Sequence, residues 1–453
     1  MNTIPEATPA ENDTPEPEQN ERMARRAGIG AFVGTTVEMY DFYIFSTAAA
    51  LVLGKLFFPS ESPGLATLAA FGTIWVGFLA RPLGGIIFGH LGDRVGRKKV
   101  LVLSLILTGI ATAAVGFLPT YAQIGITAPI LLILIRCVQG VALGGEWGGA
   151  VLIATEHAPK GKKVLYGAFA QQGSPAGNIL STLVFLLLAM LPESSFESWG
   201  WRIPFMFAAL LVGIGVVVRL KLEESPEMKR LLETSKPVKL PLVEVLRSSR
   251  ALLVLALCAS AIAMAGNFMI TVFTLSWATT EGYFDRSTFL TMIFISLIVQ
   301  FIVQPLTAMR SPYWRMSRAI PAMLLPKLIT LPLMFVLIPT GNFGVALFGI
   351  VAATIPHAMF YATLAGLLSQ VFPVETRYTG ISLAYQTGTA LFAGTTPILC
   401  QFLFNQTGSV VSVVGLGVVY TLLSIVASTI LLRRTAESTS DPQKPLTEEE
   451  ATP

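Results

Sequence analysis

About twelve apolar stretches, each near the ~20 residues that a helix needs to cross a bilayer, follow one another along this chain. That pattern permits few folds. In hydrocarbon every backbone N–H and C=O must find its partner within the chain, so apolar runs of this length fold as transmembrane helices. The stretches fall at roughly 28–53, 65–90, 99–119, 128–154, 164–190 and 201–220, then at 251–279, 288–309, 319–339, 342–370, 379–404 and 412–432. Composition agrees: 13% of residues are charged, where a soluble domain carries ~25%. Pro305, Pro321, Pro326, Pro332, Pro339 and Pro356 predict kinks across residues 288–370.

Lys and Arg set the orientation. One side receives Arg22, Arg25 and Arg26, then Arg94, Arg97, Lys98 and Lys99, then Lys160, Lys162 and Lys163. Arg310, Arg315, Arg318, Arg377, Arg433 and Arg434 fall on the same side, and the opposite loops hold little beyond Lys55, Arg202 and Arg286. That asymmetry places both termini in the cytoplasm of a cell membrane. Five segments are expected: a disordered tail at 1–27, a six-helix bundle at 28–221, a charged cytoplasmic linker at 222–250, a second six-helix bundle at 251–432, and a disordered tail at 433–453. A weak echo after the fourth helix of each half, Glu156-His157-Ala158-Pro159-Lys160 and Pro373-Val374-Glu375-Thr376-Arg377, suits two repeated halves with a site between them at mid-membrane.

Several function classes are excluded. The net charge of +4 comes from short loops, so it does not point to nucleic acid. Cys137, Cys258 and Cys400 are scattered packing residues without metal-ligand spacing. There is no G-x-x-x-x-G-K-[ST] loop, no H-E-x-x-H helix and no suggestion of a Ser-His-Asp set, so neither an ATPase nor an enzyme is expected. The tails carry no heptads, and the expected state is a monomer. No cofactor is expected beyond a coupling ion.

The motifs are more specific. Gly89-His90-Leu91-Gly92-Asp93-Arg94-Val95-Gly96-Arg97-Lys98-Lys99 is a tight, cation-loaded turn between two spans. Glu38-Met39-Tyr40-Asp41-Phe42-Tyr43 lies in helix 1 and Arg81-Pro82-Leu83-Gly84-Gly85 in helix 2. Arg136-Cys137-Val138-Gln139-Gly140 continues to Gly144-Gly145-Glu146-Trp147-Gly148-Gly149 in helix 4, and Ser198-Trp199-Gly200-Trp201-Arg202-Ile203-Pro204-Phe205 opens helix 6. Together they resemble the metabolite:proton symporter branch of the major facilitator superfamily, most densely before residue 225. The second half departs from the family pattern: its turn between helices 8 and 9, Met309 to Arg318, keeps the cations and lacks the acid and the glycines. The resemblance implies an all-α membrane protein of twelve transmembrane helices in two six-helix bundles. It also implies proton-coupled uptake of a small polar organic metabolite by alternating access, with a shikimate-like organic acid as the leading solute. Its partners would be the solute, the proton and the bilayer. Three other readings stay open: a symporter of a proline- or betaine-type zwitterion, an efflux antiporter, and a sensor that binds solute without moving it.

Ionisable groups within lipid depth cost about 2.5–3.5 kcal/mol each on insertion scales and are functional candidates by default, with structural ion pairing as the rival. Glu38 and Asp41, spaced i,i+3, share a helix face. Counting roughly 1.5 Å per residue puts Asp41 and Arg136 at similar depth. If helices 1 and 4 adjoin, as in the family fold, Arg136 pairs with Asp41 or Glu38, and a proton or an anionic solute would compete for that pair. Arg136, Gly140 and Gly144 also match the superfamily's helix 4 motif, which is associated with proton-coupled members; the glycines themselves read as a smooth packing stripe. Arg81 and Glu146 are expected to form a gate or structural pair. Asp93, Arg94 and Arg97 are expected to form a cytoplasmic latch, with Glu156 as partner. Solute-binding candidates are Tyr40, Tyr43, Arg136, Gln171, Gln172, Asn267, His357, Tyr361 and Gln386, with Gln300, Gln304 and Tyr385 as further neutral hydrogen-bonding groups. Lys327 is expected to snorkel toward the cytoplasm, with anion attraction as the alternative.

Overall fold

Helix makes up nearly all of the chain described by the computed structural model, which covers residues 17–60, 62–95, 97–144, 163–220, 247, 249–368, 371–372 and 377–440. Twelve rods follow in order, with no strand among the described residues. In the first six, α1 runs Pro17–Ala48 and on to Phe57, α2 Pro63–Val95, α3 Arg97–Phe117, α4 Thr127–Leu143, α5 Lys163–Leu188 and α6 Gly200–Arg202 then Ile203–Leu220. In the second six, α7 runs Arg250–Thr280, α8 Arg286–Arg310, α9 Met316–Thr340, α10 Phe343–Leu368, α11 Arg377–Gly388 and on to Thr407, and α12 Val411–Ser440. Helix thus reaches into both segments expected as tails. Residues 221–246 and 248 of the expected linker lie outside the described residues.

Proline and π-helix mark where the rods bend. Pro82, Pro175, Pro305, Pro332 and Pro356 sit inside helices, and the Phe301 carbonyl freed by Pro305 accepts from Gln172 of α5. Within the 288–370 region α9 is interrupted at Leu325-Pro326, between Met316–Leu324 and Lys327–Leu337. A turn of π-helix interrupts α1 at Ala49–Leu53, α7 at Met269–Phe273 and α11 at Thr389–Gly394. Such turns gather at functional sites. α1 and α7 open their respective halves, so the same device recurs at matching places.

Within the first half α1 packs on α5, α2 on α4 and α3 on α6; in the second α7 packs on α12 and α10 on both α8 and α9. The halves meet along α5–α8 and α2–α11. The α2–α4 contact is backbone against backbone. A Cβ built at Gly144 would lie 1.9 Å from the Arg81 carbonyl oxygen, one at Gly84 1.9 Å from that of Val141, and one at Gly140 2.1 Å from that of Gly77. The expected packing stripe is therefore present, and Arg81 and Arg136 are carried on the two helices that it joins. Large apolar side chains such as Ile110, Leu134, Ile329 and Phe348 cover the outside, while Glu38, Asp41, Arg81 and Arg136 are buried. That inversion suits lipid as the outer solvent.

One helix start has a measurable consequence. Asp285 caps α8, accepting from the Thr288 amide at 3.0 Å. Hydrogen bonds from Ser287 and Thr288 hold its carboxyl down to about 2, from an ordinary 3.8. The cap is therefore present at neutral pH and is lost as pH falls from about 4 to about 2. Asp285→Ala should cost about 1 kcal/mol at pH 7, read by thermal unfolding of the purified protein, with little difference from wild type near pH 2.

Candidate functional site

Four ionisable side chains are buried in the first half among the described residues, and each is less than 5% exposed: Glu38 and Asp41 on α1, Arg81 on α2 and Arg136 on α4. Arg136 and Asp41 are joined by a relay. The Arg136 Nη1 donates to Gln139 Oε1 at 2.8 Å, Gln139 Nε2 donates to Thr112 Oγ1 at 2.6 Å, and the Thr112 hydroxyl donates to Asp41 Oδ1. The expected contact assumed that helices 1 and 4 adjoin. In the structure α1 lies chiefly against α5, α4 lies against α2 and α3, and α3 supplies the bridging hydroxyl. The Arg136 guanidinium is further held 3.8 Å above the Phe45 ring, a cation–π contact strengthened by exclusion of water. Thr112 and Gln139 are functional candidates that the sequence reading misses. The available signal was Gln139 at i+3 from Arg136, on the same helix face.

A cavity of about 50 Å³ lies between the halves, the size of some four water molecules. Of the expected solute-binding residues, Tyr43, Asn267, His357 and Tyr361 line it. Asn267 Nδ2 donates to the Tyr43 hydroxyl at 2.9 Å, joining α7 to α1 across the seam, and Tyr43 is 3.3 Å from the Ser174 hydroxyl. The His357 and Tyr361 rings stack at 6.0 Å. The others are absent from this lining. Tyr40 donates its hydroxyl to the Pro204 carbonyl at 3.0 Å, and Gln172 donates to the Phe301 carbonyl at 2.7 Å, so both join helices. Gln171 is buried and Gln386 half-buried away from the cavity wall, and Arg136 stands behind it. Conversely Arg81, Gln300 and Tyr385 do line it. The Arg81 guanidinium lies 4.6 Å over Phe78, and Glu38 and Arg81 both act electrostatically on Tyr385. The first half's charges therefore face the second half's phenols.

Lys327 does not snorkel. It is 0% exposed, and Nζ has no hydrogen-bond partner among the described residues. Its position follows from the break in α9, which it immediately succeeds.

The expected latch is only partly in view. Asp93 and Arg94 close α2 and Arg97 opens α3, but their side chains lie outside the described residues, as do Glu146 and Glu156. At the opposite end the contacts are clear. Lys55 donates to Glu197 at 2.5 Å and approaches Glu193 at 3.9 Å. The Arg286 guanidinium of α8 sits 4.0 Å over the Phe196 ring, tying the second half to the first. The Lys55 pair lies within the first half, and an exposed ion pair and a single cation–π contact are each worth about 0.5–1 kcal/mol.

Known proteins match this architecture. The model of the Major Facilitator Superfamily matches residues 31–397. The inner membrane metabolite transport protein YhjE of Escherichia coli (strain K12) is 38% identical over 400 residues, which is 86% of this chain and 89% of that protein. The shikimate transporter of the same organism is 38% identical over 386 residues, 84% of this chain and 88% of its own. Among solved structures, a proton:xylose symporter bound to 6-bromo-6-deoxy-D-glucose has a TM-score of 0.71 at 16% identity, over 92% of this chain and 96% of that one, a likeness of fold. The chain belongs to the Major Facilitator Superfamily: it is a multi-pass membrane transporter of small-molecule solutes and not an enzyme.

Proposed function

We propose that this transporter is a proton-coupled importer of a small organic acid, set in the inner membrane with both termini in the cytoplasm. The observation that carries the reading is the buried relay from Arg136 to Asp41, which ends beside the cavity-lining Phe42 and Tyr43. The shikimate transporter among its relatives supports the solute class.

The relay responds to a proton through simple donor counting. The Thr112 hydroxyl has one hydrogen and two acceptors in reach, Asp41 Oδ1 and the Thr108 carbonyl at 2.9 Å. An ionised Asp41 takes that hydrogen in the stronger, charge-assisted bond. A protonated Asp41 becomes the donor itself, and Thr112 turns back to Thr108. Protonation thus reverses one bond and removes the negative end of the chain leading to Arg136. A cavity of four waters does not admit an organic acid, so binding requires the halves to rock apart along α2–α11 and α5–α8. Proton and solute enter from the side of the Arg286–Phe196 contact and leave on the side of the Gly89 to Lys99 turn.

Purified protein in proteoliposomes tests this. An inward proton gradient should drive accumulation of radiolabelled shikimate, and a protonophore should collapse it to the equilibrium level. Uptake indifferent to the gradient overturns the coupling. Solute expelled by the same gradient indicates an antiporter, competition by betaine alone indicates a zwitterion carrier, and binding without flux indicates a sensor.

A further inference from the structure

Among its described residues the second half holds a buried cation and no buried acid. Across Arg250–Thr280, Arg286–Arg310, Met316–Thr340, Phe343–Leu364, Leu383–Thr407 and Val411–Arg434 there is no Asp or Glu. Among the described buried residues of the first half, two carboxylates stand against two guanidinium groups; in the second, Lys327 stands without a carboxylate. An ammonium taken from water costs several kcal/mol unless a counter-charge meets it. No buried Asp or Glu among the described residues of the second half supplies one.

His357 lies beside it. Both of its ring nitrogens lack a hydrogen-bond partner among the described residues, although the ring is 2% exposed. The two groups converge on Gly266. A Cβ built there would lie 2.8 Å from His357 Nδ1 and 2.8 Å from Lys327 Nζ, so the nitrogens are at most twice that distance apart. Glycine at 266 keeps the space between them clear. His357 and the neighbouring Met264 and Asn267 line the central cavity, so this space adjoins the solute's path.

We infer that Lys327 and His357, over the bare backbone of Gly266, form an anchor for the carboxylate of the transported solute. The inference rests on the organic-acid reading and deepens it, giving the acid group a place in the second half while the proton is handled in the first. The planar carboxylate has two acceptor oxygens for the two donors that border this one spot. Tyr361, Asn267 and Gln300 remain on the cavity wall for the rest of the molecule.

Thermal-shift titrations of the purified full-length protein test the anchor, with shikimate, its uncharged methyl ester and glycine betaine as probes. Wild type should bind shikimate at least tenfold more tightly than the ester. Lys327→Met should weaken shikimate at least tenfold and leave the ester unchanged. Its solute-free melting temperature should equal or exceed that of wild type, because an uncompensated buried amine has been removed. Gly266→Ala, which fills the gap, should weaken shikimate in the same way. The anchor is overturned if Lys327→Met binds the acid within twofold of wild type, or if wild type binds ester and acid alike. It is also overturned if solute-free Lys327→Met melts well below wild type, the mark of a structural partner, or if no carboxylate probe stabilises wild type. Should wild type take betaine alone and Lys327→Met lose it, the organic-acid reading fails and the anchor stands.

Discussion

Asp41→Asn abolishes accumulation against a gradient and leaves exchange of solute across the membrane intact. Asparagine keeps the size of aspartate and an oxygen that accepts from Thr112, so the packing of α1 against α3 is preserved. It does not titrate, so the donor reversal at Thr112 no longer follows the proton. With one proton per solute, one pH unit is about 1.4 kcal/mol and sustains about tenfold accumulation. In proteoliposomes the variant's inside-to-outside ratio should therefore fall from about ten to one. Counterflow, in which labelled solute exchanges for unlabelled without net work, should persist. Thr112→Val makes the companion case. It keeps the carboxylate but removes the hydroxyl that links it to Gln139 and Arg136, so the final ratio should also fall toward one. An Asp41→Asn protein that still reaches a ratio of ten removes Asp41 from coupling.

The parts of this site visible in the sequence are those with a large physical cost. Twelve helices are legible because hydrocarbon demands length and apolarity of each. Glu38, Asp41, Arg81 and Arg136 are legible because an ionised group inside such a run is expensive. Thr112 and Gln139 carry no such penalty. A threonine in a helix ordinarily satisfies itself on the carbonyl four residues back, as Thr271 and Thr354 do here, so nothing in the chain distinguishes Thr112 from them. Lys327 is misjudged for a geometric reason. Snorkelling assumes a continuous helix with its end near the interface, whereas the break at Leu325-Pro326 sets where α9 places its lysine. Residues chosen from one half alone fare unevenly, because the cavity is made by the seam. Tyr43 meets Asn267 across it, while Tyr40, three residues earlier, turns to Pro204. The π turns in α1, α7 and α11 are not among the features read from the sequence.

Gly144→Val should be strongly destabilising. Its Cβ would stand 1.9 Å from the Arg81 carbonyl oxygen, a backbone atom that no rotamer change can move aside. Relief requires α2 and α4 to part by roughly 1 Å or more, well beyond the tolerance of close-packed interiors. The contact cannot give way locally, because Gly84 and Gly140 press carbonyls at 1.9 and 2.1 Å along the same seam. Overpacking of this kind costs about 3 kcal/mol or more. The same displacement would carry Arg136 away from Thr73 and Phe45, so the surviving protein should lose coupling as well as stability. Thermal unfolding in detergent micelles gives the comparison, with Gly213→Ala on α6 as the control. No atom lies within 4 Å of a Cβ at 213, and that change should be neutral or stabilise by up to about 1 kcal/mol. Equal melting temperatures for the two variants would mean that α2 and α4 do not pack through their glycines, and that Arg81 and Arg136 are held in place by something other than this seam.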